Sequence, residues 1–204
     1  FWNLNQLWAL ATPDIMNKWV ESLLEYYRVG GWLPNGPPGV EYCDIMGAQH
    51  EIPLMVSAYQ KGIRNYDVDK AYEAVKKTLT TQGTALSSGG IVGNRHLDVY
   101  LKYGFVPYGE KSHHNVFGTT YEGPTSNTLE YAFDDWNAAQ FAKALGYEED
   151  YDILQDVLII IKMFSIRKRN MSGRNIVMER GCRILNLLIK MSILPVGRGW
   201  ALDL

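Results

Sequence analysis

Apolar residues recur three and four positions apart along most of this chain, which is the spacing of helices that bury one face. The predicted helices, in chain order, cover residues 2–11, 13–30, 52–61, 68 onward, 96–103 and 125–146. Residues 80–94 and 105–126 are polar and contain several glycines, which is typical of loops. Because no stretch alternates convincingly between apolar and polar positions, we expect an all-α architecture.

Three of these helices carry capping signals in the sequence. Thr12 followed by Pro13 is typical of an N-cap and a first helical residue. Asp67 has the side chain expected of an N-cap for the helix that follows it. Asn127 and Glu130 have the spacing of a capping box, in which each residue's side chain accepts the other's backbone N–H.

The helix predicted at 125–146 also holds the densest cluster of candidate chemistry. The residues predicted to form its buried face are Leu129, Phe133, Trp136 and Ala139. Glu130 and Asp134 lie one turn apart on a shared face, and Asp135 follows directly. Carboxylates beside large aromatic rings suit a sugar pocket, because they accept hydrogen bonds from hydroxyl groups while the rings cover the apolar sugar faces. The alternative is a solvated acidic first turn beside a core tryptophan.

The composition is that of an ordinary globular protein, with 204 residues, 47% hydrophobic and 21% charged. No apolar run is long enough to span a membrane and no targeting signal is visible, and we expect no nucleic-acid partner. Cys43 and Cys182 are too few for a disulfide framework and lack the spacing of a metal site. Because the chain opens on Phe1 inside an apolar pattern, we expect a fragment of a longer protein.

The formal net charge of −2 hides two unlike parts. Residues 1–155 hold 11 Lys and Arg against 19 Asp and Glu, whereas residues 156–204 hold 9 against 3. All 13 tyrosines lie in the first part. The tail is therefore either a distinct basic segment or a sequence foreign to the rest of the chain.

Several segments, taken together and in order, resemble a known family. They are WVESLLEYYRVGGWLP, CDIMGAQHEIPLMVSAYQKGIRNYDVDKAYEAVKK, YGFVPYG and NTLEYAFDDWNAAQFAKALGYEEDYD. They are similar to the catalytic domain of glycoside hydrolase family 92, the exo-acting α-mannosidases, over about three quarters of the chain. The resemblance implies an (α/α)6 barrel, a calcium ion that engages mannose hydroxyls, and hydrolysis of mannose-containing glycans with inversion. For a bacterial member it also implies a periplasmic, surface or secreted location.

The same resemblance limits what this chain can do alone. In the family, the general acid lies in a Glu-Gly-Asn-Ala-Trp-like segment, and the base and the calcium ligands follow further downstream. None of those motifs occurs here. We therefore assign no catalytic residue and no metal ligand, and we expect residues 1–152 to be a partial catalytic domain that is inactive without the missing domains of its parent chain.

Residues 153–204 form the atypical basic tail. Suitable codons for DVLIIIKMFSI, read in a shifted frame, spell RSYYYKNVFD, which resembles the family's continuation after EEDYD. We therefore predict that the tail is a frameshifted translation. The alternative is a basic amphipathic tail that binds an acidic partner.

The resemblance extends the set of candidate substrate-binding residues to the segment GVEYCDIMGAQH. Glu41, Asp44 and His50 lie there around a predicted turn at Gly47 and could project into the barrel mouth. The alternative is that these three side chains cap the loop or are solvated charges without a binding role. With Glu130, Asp134 and Asp135 they complete the candidate set. His113 and His114 lack a third metal ligand nearby and are predicted at the surface.

A competing hypothesis belongs to a different class of protein. Under this hypothesis the chain is a non-catalytic helical module that binds a glycan or a protein and hydrolyses neither. Inner helices of a partial barrel would leave large apolar patches exposed, which stable monomers avoid, so we favour the fragment of an α-mannosidase.

Overall fold

The computed structural model describes residues 2–35, 42, 47–87, 90–107 and 124–155, and this part of the chain is predominantly helical. The elements are α1 (Trp2–Ala11), α2 (Pro13–Gly30), α3 (Glu51–Gln60), α4 (Val68–Thr80), β1 (Thr84–Ala85), β2 (Ile91–Val92), α5 (Leu97–Tyr103) and α6 (Pro124–Leu145). The prediction of an all-α protein is confirmed. None of these helices is long and apolar enough to cross a membrane.

The loop prediction for residues 80–94 was wrong in one respect. Two short strands pair there in antiparallel register, with Thr84 opposite Val92 and Ala85 opposite Ile91. Strands of two residues are too short to show an alternating pattern, so nothing in the sequence indicated them.

The capping predictions have mixed outcomes. The Asp67 side chain accepts a hydrogen bond from the backbone N–H of Lys70 at 2.9 Å, which confirms it as the N-cap of α4. Thr12 occupies the N-cap position of α2, but its side chain makes no capping hydrogen bond. Asn127 is not the cap of α6, because that helix already begins at Pro124. A proline is readily accommodated in a first turn, where its missing N–H costs nothing.

Helices α3 and α6 lie against each other and are buried on most of their surface. Every residue of α3 from Glu51 to Tyr59 is buried. In α6 the predicted inward face is only half right, because Phe133 and Ala139 are buried whereas Leu129 and Trp136 are partly exposed. A helix enclosed on several sides shows no single apolar stripe, so periodicity could not identify its buried positions.

Two clusters of buried side chains hold the helices together. The larger one joins α2, α3, α4 and α6, and includes Met16, Ile52, Val75 and Phe141. The smaller one joins the turn before α3 to α5 and α6. Its members are Ala48, Leu97, Val99, Tyr100, Val106 and Tyr131. Together the clusters fix the start of α3 against the N-terminal half of α6, where the candidate site lies.

A last helical segment, residues 148–155, crosses the predicted domain boundary at residue 153. Its Asp150 accepts a hydrogen bond from the hydroxyl of Tyr72 at 2.6 Å and pairs with Lys76 at 2.8 Å, which attaches the segment to α4. The residues after 155 lie outside those described, so the frameshifted tail and its boundary stay predictions.

Candidate functional site

The site begins at an unusual backbone turn just before α3. Ala48 has a φ of 66°, in the left-handed region, and its side chain is buried in the smaller cluster. Left-handed backbone costs a residue with a Cβ atom about 1–2 kcal/mol, and such strain is often kept where side chains must be aimed. The sequence predicted Gly47 as the turning residue, but the left-handed residue is Ala48. The turn is held in place by Asn35, whose Nδ2 donates to the carbonyl of Ala48.

The turn brings Gln49 and His50 against the polar face of α6. The imidazole of His50 lies between two carboxylates, with its Nε2 3.2 Å from Oε2 of Glu130 and its Nδ1 3.5 Å from Oδ1 of Asp134. The backbone N–H of Gln49 donates to Oδ2 of Asp134 at 2.7 Å. Asp134 is fully buried, His50 is mostly buried, and the side chain of Glu130 is 44% exposed. The three side chains therefore run from the interior outward to solvent.

His50 carries a proton at neutral pH. Burial of the ring opposes protonation, but the hydrogen bond to Asp134 and the charges of Asp134, Glu130 and Glu51 outweigh it and raise the pKa of His50 to about 9. An imidazolium between two carboxylates can donate from both ring nitrogens, so it orients both acids and neutralises part of their charge.

The neighbouring acids are held closer to their neutral forms. Burial raises the pKa of Glu51 well above its ordinary value, and the charge of Asp134 adds to that effect. The Oε1 atom of Glu51 has no hydrogen-bond partner among the described residues. Burial also raises the pKa of Glu130, with the positive charge of His50 opposing the shift. Burial thus disfavours the charged forms of both Glu51 and Glu130.

Asp135 contacts a different helix, α5. Its Oδ2 accepts a hydrogen bond from the hydroxyl of Tyr100 on α5 at 2.6 Å. Burial raises the pKa of Asp135 to about 7, although the hydrogen bond from Tyr100 works against the shift. The structure thus brings His50, Glu130 and Asp134 together, whereas Asp135 is engaged by Tyr100. The prediction that it contacts substrate stays untested.

The other candidates have no described position. Glu41 and Asp44 lie outside the described residues, as do His113 and His114. Sequence reasoning overlooked Glu51 and Tyr100, although Glu51 stands next to His50 at the start of a predicted helix. A glutamate there is expected to be solvated, and only the packing of α3 against α6 buries it.

The alternative of a solvated acidic turn does not hold for α6. Asp134 is 0% and Asp135 4% exposed, and each carboxylate accepts a hydrogen bond from a group on another element. Buried carboxylates are costly unless they are paired, and they concentrate where a protein binds or transforms something.

No group of three His, Cys, Asp or Glu residues within the described ranges has the geometry to hold a metal ion. Calcium takes oxygen ligands, and the carboxylates of Glu130 and Asp134 both lie against the protonated His50, whose positive charge opposes a second cation there. The calcium ion that the family resemblance implies therefore does not fit this part of the chain.

The described helices thus hold a buried cluster of acids with one partly exposed carboxylate, that of Glu130. Comparison with known proteins defines it further, because the sequence model of the glycosyl hydrolase family 92 catalytic domain matches residues 1–157. The chain belongs to this family. A curated relative, described as an uncharacterized secreted glycosidase of Arthroderma benhamiae, is 27% identical over 147 residues. That alignment covers 72% of this chain and 18% of the relative.

Solved structures of the family are similar to this chain in fold. An inverting mannosidase of family GH92 from Bacteroides thetaiotaomicron VPI-5482 is 28% identical, with a TM-score of 0.63, over 75% of this chain and 19% of that one. A GH92 α-mannosidase from the same species is 25% identical, with a TM-score of 0.64, over 79% and 20%. The same α-mannosidase in complex with mannoimidazole gives a TM-score of 0.64 over 86% and 21%.

These similarities define the architecture to which the helices belong. GH92 structures contain an (α/α)6 barrel, and the described helices form an incomplete part of one. The chain spans about a fifth of the length of the solved relatives that it matches.

Proposed function

We propose that this chain is part of an inverting exo-α-mannosidase that acts on mannose-containing glycans, and that His50 and Glu130 line its sugar pocket. Membership of family 92 supports glycoside hydrolysis, and two similar solved proteins are mannosidases. The single observation that carries the role of this site is the His50 imidazolium held between the exposed Glu130 and the buried Asp134.

The geometry of His50, Glu130 and Asp134 favours a role in binding the sugar over a role in proton transfer during hydrolysis. An inverting glycosidase needs one carboxylic acid that protonates the leaving oxygen and one carboxylate, about 6.5–9.5 Å away, that activates water. Glu130 and Asp134 both lie within 3.5 Å of the same imidazolium, which orients them. Glu130 can still accept hydrogen bonds from sugar hydroxyls, because a carboxylate offers about four lone-pair sites. His50 and Asp134 fix where that carboxylate points.

The reaction itself then depends on residues elsewhere in the parent protein. We assign the general acid, the base and any calcium ligands to that remainder, and we expect the isolated chain to be inactive. Since the curated relative is described as secreted, we also propose that the parent protein is exported.

The surface of α1 supports a fragment rather than a stand-alone binding module. Leu4, Leu7 and Leu10 are 45%, 56% and 54% exposed and recur every three residues along this helix. Rows of exposed leucines are unusual on a stable monomer and typical of surfaces that other parts of a protein cover. In the parent protein, further helices of the barrel would cover this row.

Binding of methyl α-mannoside to the chain, followed by ligand-observed NMR or calorimetry, tests the proposal. We expect Glu130→Gln to weaken binding about tenfold, because a hydrogen bond to a charged group contributes roughly 1.5–3 kcal/mol. Glu25→Gln is the matched control, since Glu25 lies exposed on α2 and pairs with Arg28 in the same helix. Absence of binding by the wild-type chain, or equal affinities of the two variants, would contradict the proposal.

A second measurement concerns turnover. The chain alone should not release the aryl group from an aryl α-mannoside, whereas the parent protein with the downstream half in frame should. Turnover by the isolated chain would show that the acid and the base lie within it.

A further inference from the structure

Asn127 is a buried polar residue in the first turn of α6. It is 2% exposed, and its Nδ2 atom has no hydrogen-bond partner among the described residues. The sequence suggested a capping role, but α6 begins three residues earlier, so capping does not account for it. Buried amide groups are nearly always paired, and an unpaired one requires an explanation.

The position of Asn127 on α6 relates it to the candidate site. It lies three residues before Glu130 and seven before Asp134, and those spacings place all three on one face of the helix. Residues three apart on a helix have Cβ atoms about 5–6 Å from each other. Asn127 is therefore the next polar side chain along the face that carries the carboxylates.

The two neighbouring groups have complementary chemistry. A carboxylate only accepts hydrogen bonds, whereas the Nδ2 of an asparagine only donates them. Each hydroxyl of a sugar can do both, so a donor and an acceptor one turn apart suit two adjacent hydroxyls. The side chain of Glu130 is 44% exposed, so the carboxylate end of this turn reaches solvent.

We propose that Asn127 is a further ligand-binding residue, which donates from Nδ2 to one hydroxyl of a neutral sugar while Glu130 accepts from the adjacent hydroxyl. To do so, its side chain rotates toward Glu130. The rotation breaks no hydrogen bond of Nδ2, because that atom makes none in the described structure. The turn Asn127–Glu130 thereby selects a vicinal diol. This inference rests on the proposed function, which takes the ligand to be a mannose-containing glycan.

The variant Asn127→Leu tests the idea, because leucine has a similar volume and removes the amide. Binding is measured with methyl α-mannoside and with analogues that each lack one ring hydroxyl, and the Tm of each variant is recorded. We expect about tenfold weaker binding of methyl α-mannoside by N127L, and loss of the wild-type preference over one deoxy analogue. The Tm should stay the same or rise, because an unpaired buried donor has been removed.

Asn17→Leu is the matched control. Asn17 is also buried on a helix, but its Nδ2 donates to the carbonyl of Asn65 at 2.9 Å. N17L should lower the Tm and leave sugar affinity and selectivity unchanged. The inference is overturned if N127L keeps wild-type affinity and selectivity, or if it lowers the Tm as N17L does while selectivity persists.

The outcomes also separate this inference from the proposal on which it rests. If wild-type chain binds methyl α-mannoside and E130Q weakens binding but N127L does not, only the role of Asn127 fails. If the wild-type chain binds no sugar, both the proposed function and this inference are overturned.

Discussion

The charge on His50 makes a quantitative prediction about how stability depends on pH. The ring titrates near its ordinary pKa of 6.5 in the unfolded chain and at about 9 in the folded one. Each pKa unit corresponds to about 1.36 kcal/mol, so the proton on His50 stabilises the folded state by about 3 kcal/mol. Since the folded pKa is the higher one, this contribution is complete below about pH 6.5 and is lost as the pH rises through about 9.

The variant His50→Gln removes the titrating group while retaining a polar side chain of similar length. The quantity of interest is the free energy of unfolding of the wild type minus that of H50Q. We expect this difference to be about 3 kcal/mol larger at pH 6 than at pH 10. Urea unfolding followed by far-UV circular dichroism at several pH values gives this difference. Subtracting the variant's curve also removes the effect of Lys61, whose burial lowers its pKa to about 8.

His96→Gln serves as the control, because His96 is shifted in the opposite direction. Burial lowers its pKa, and the charge of Arg95 contributes. The difference between wild type and H96Q should therefore change only below about pH 6.5. If the difference between wild type and H50Q varies by less than about 0.5 kcal/mol over the whole range, the imidazolium does not join the two carboxylates as described.

Three further substitutions probe the supports of the site. Glu51→Gln should make the chain more stable at pH 7, and the gain should shrink toward pH 4.5, because burial raises the pKa of this acid in the folded state above its unfolded value. A pH-independent difference in urea midpoints would contradict this. Tyr100→Phe should cost about 2 kcal/mol once Asp135 is ionised and should raise the pKa of that acid above about 7, as measured by carboxyl-carbon NMR titration; an unchanged titration would refute it. Ala48→Gly should change stability by less than about 0.5 kcal/mol in urea unfolding, because relief of about 1 kcal/mol of left-handed strain offsets the loss of a buried methyl group worth about 0.8 kcal/mol. A loss above about 1.5 kcal/mol would show that the strain is absent.

The sequence by itself determined the local elements whose signals are short-range. Asp67 predicted the start of α4 correctly, because a capping side chain acts on backbone groups only three residues away. Pro13 likewise predicted the start of α2, because its fixed backbone geometry is a property of the residue itself. The order and spacing of its motifs also pointed to family 92, which the family comparison confirms.

Tertiary structure alone decided which acids are buried and what each of them contacts. Glu130, Asp134 and Asp135 look alike in the sequence, yet Glu130 contacts His50 from the solvent side, Asp134 contacts it from the interior, and Asp135 contacts Tyr100 instead. These differences arise because α6 packs against α3 on one side and contacts α5 on another. Contacts between elements so far apart in the chain cannot be predicted from the spacing of apolar residues. The sequence also gave no sign of the left-handed backbone of Ala48, or of the burial of Asn127 with no partner for its Nδ2 among the described residues. Both depend on how the start of α3 and the first turns of α6 lie within the folded chain.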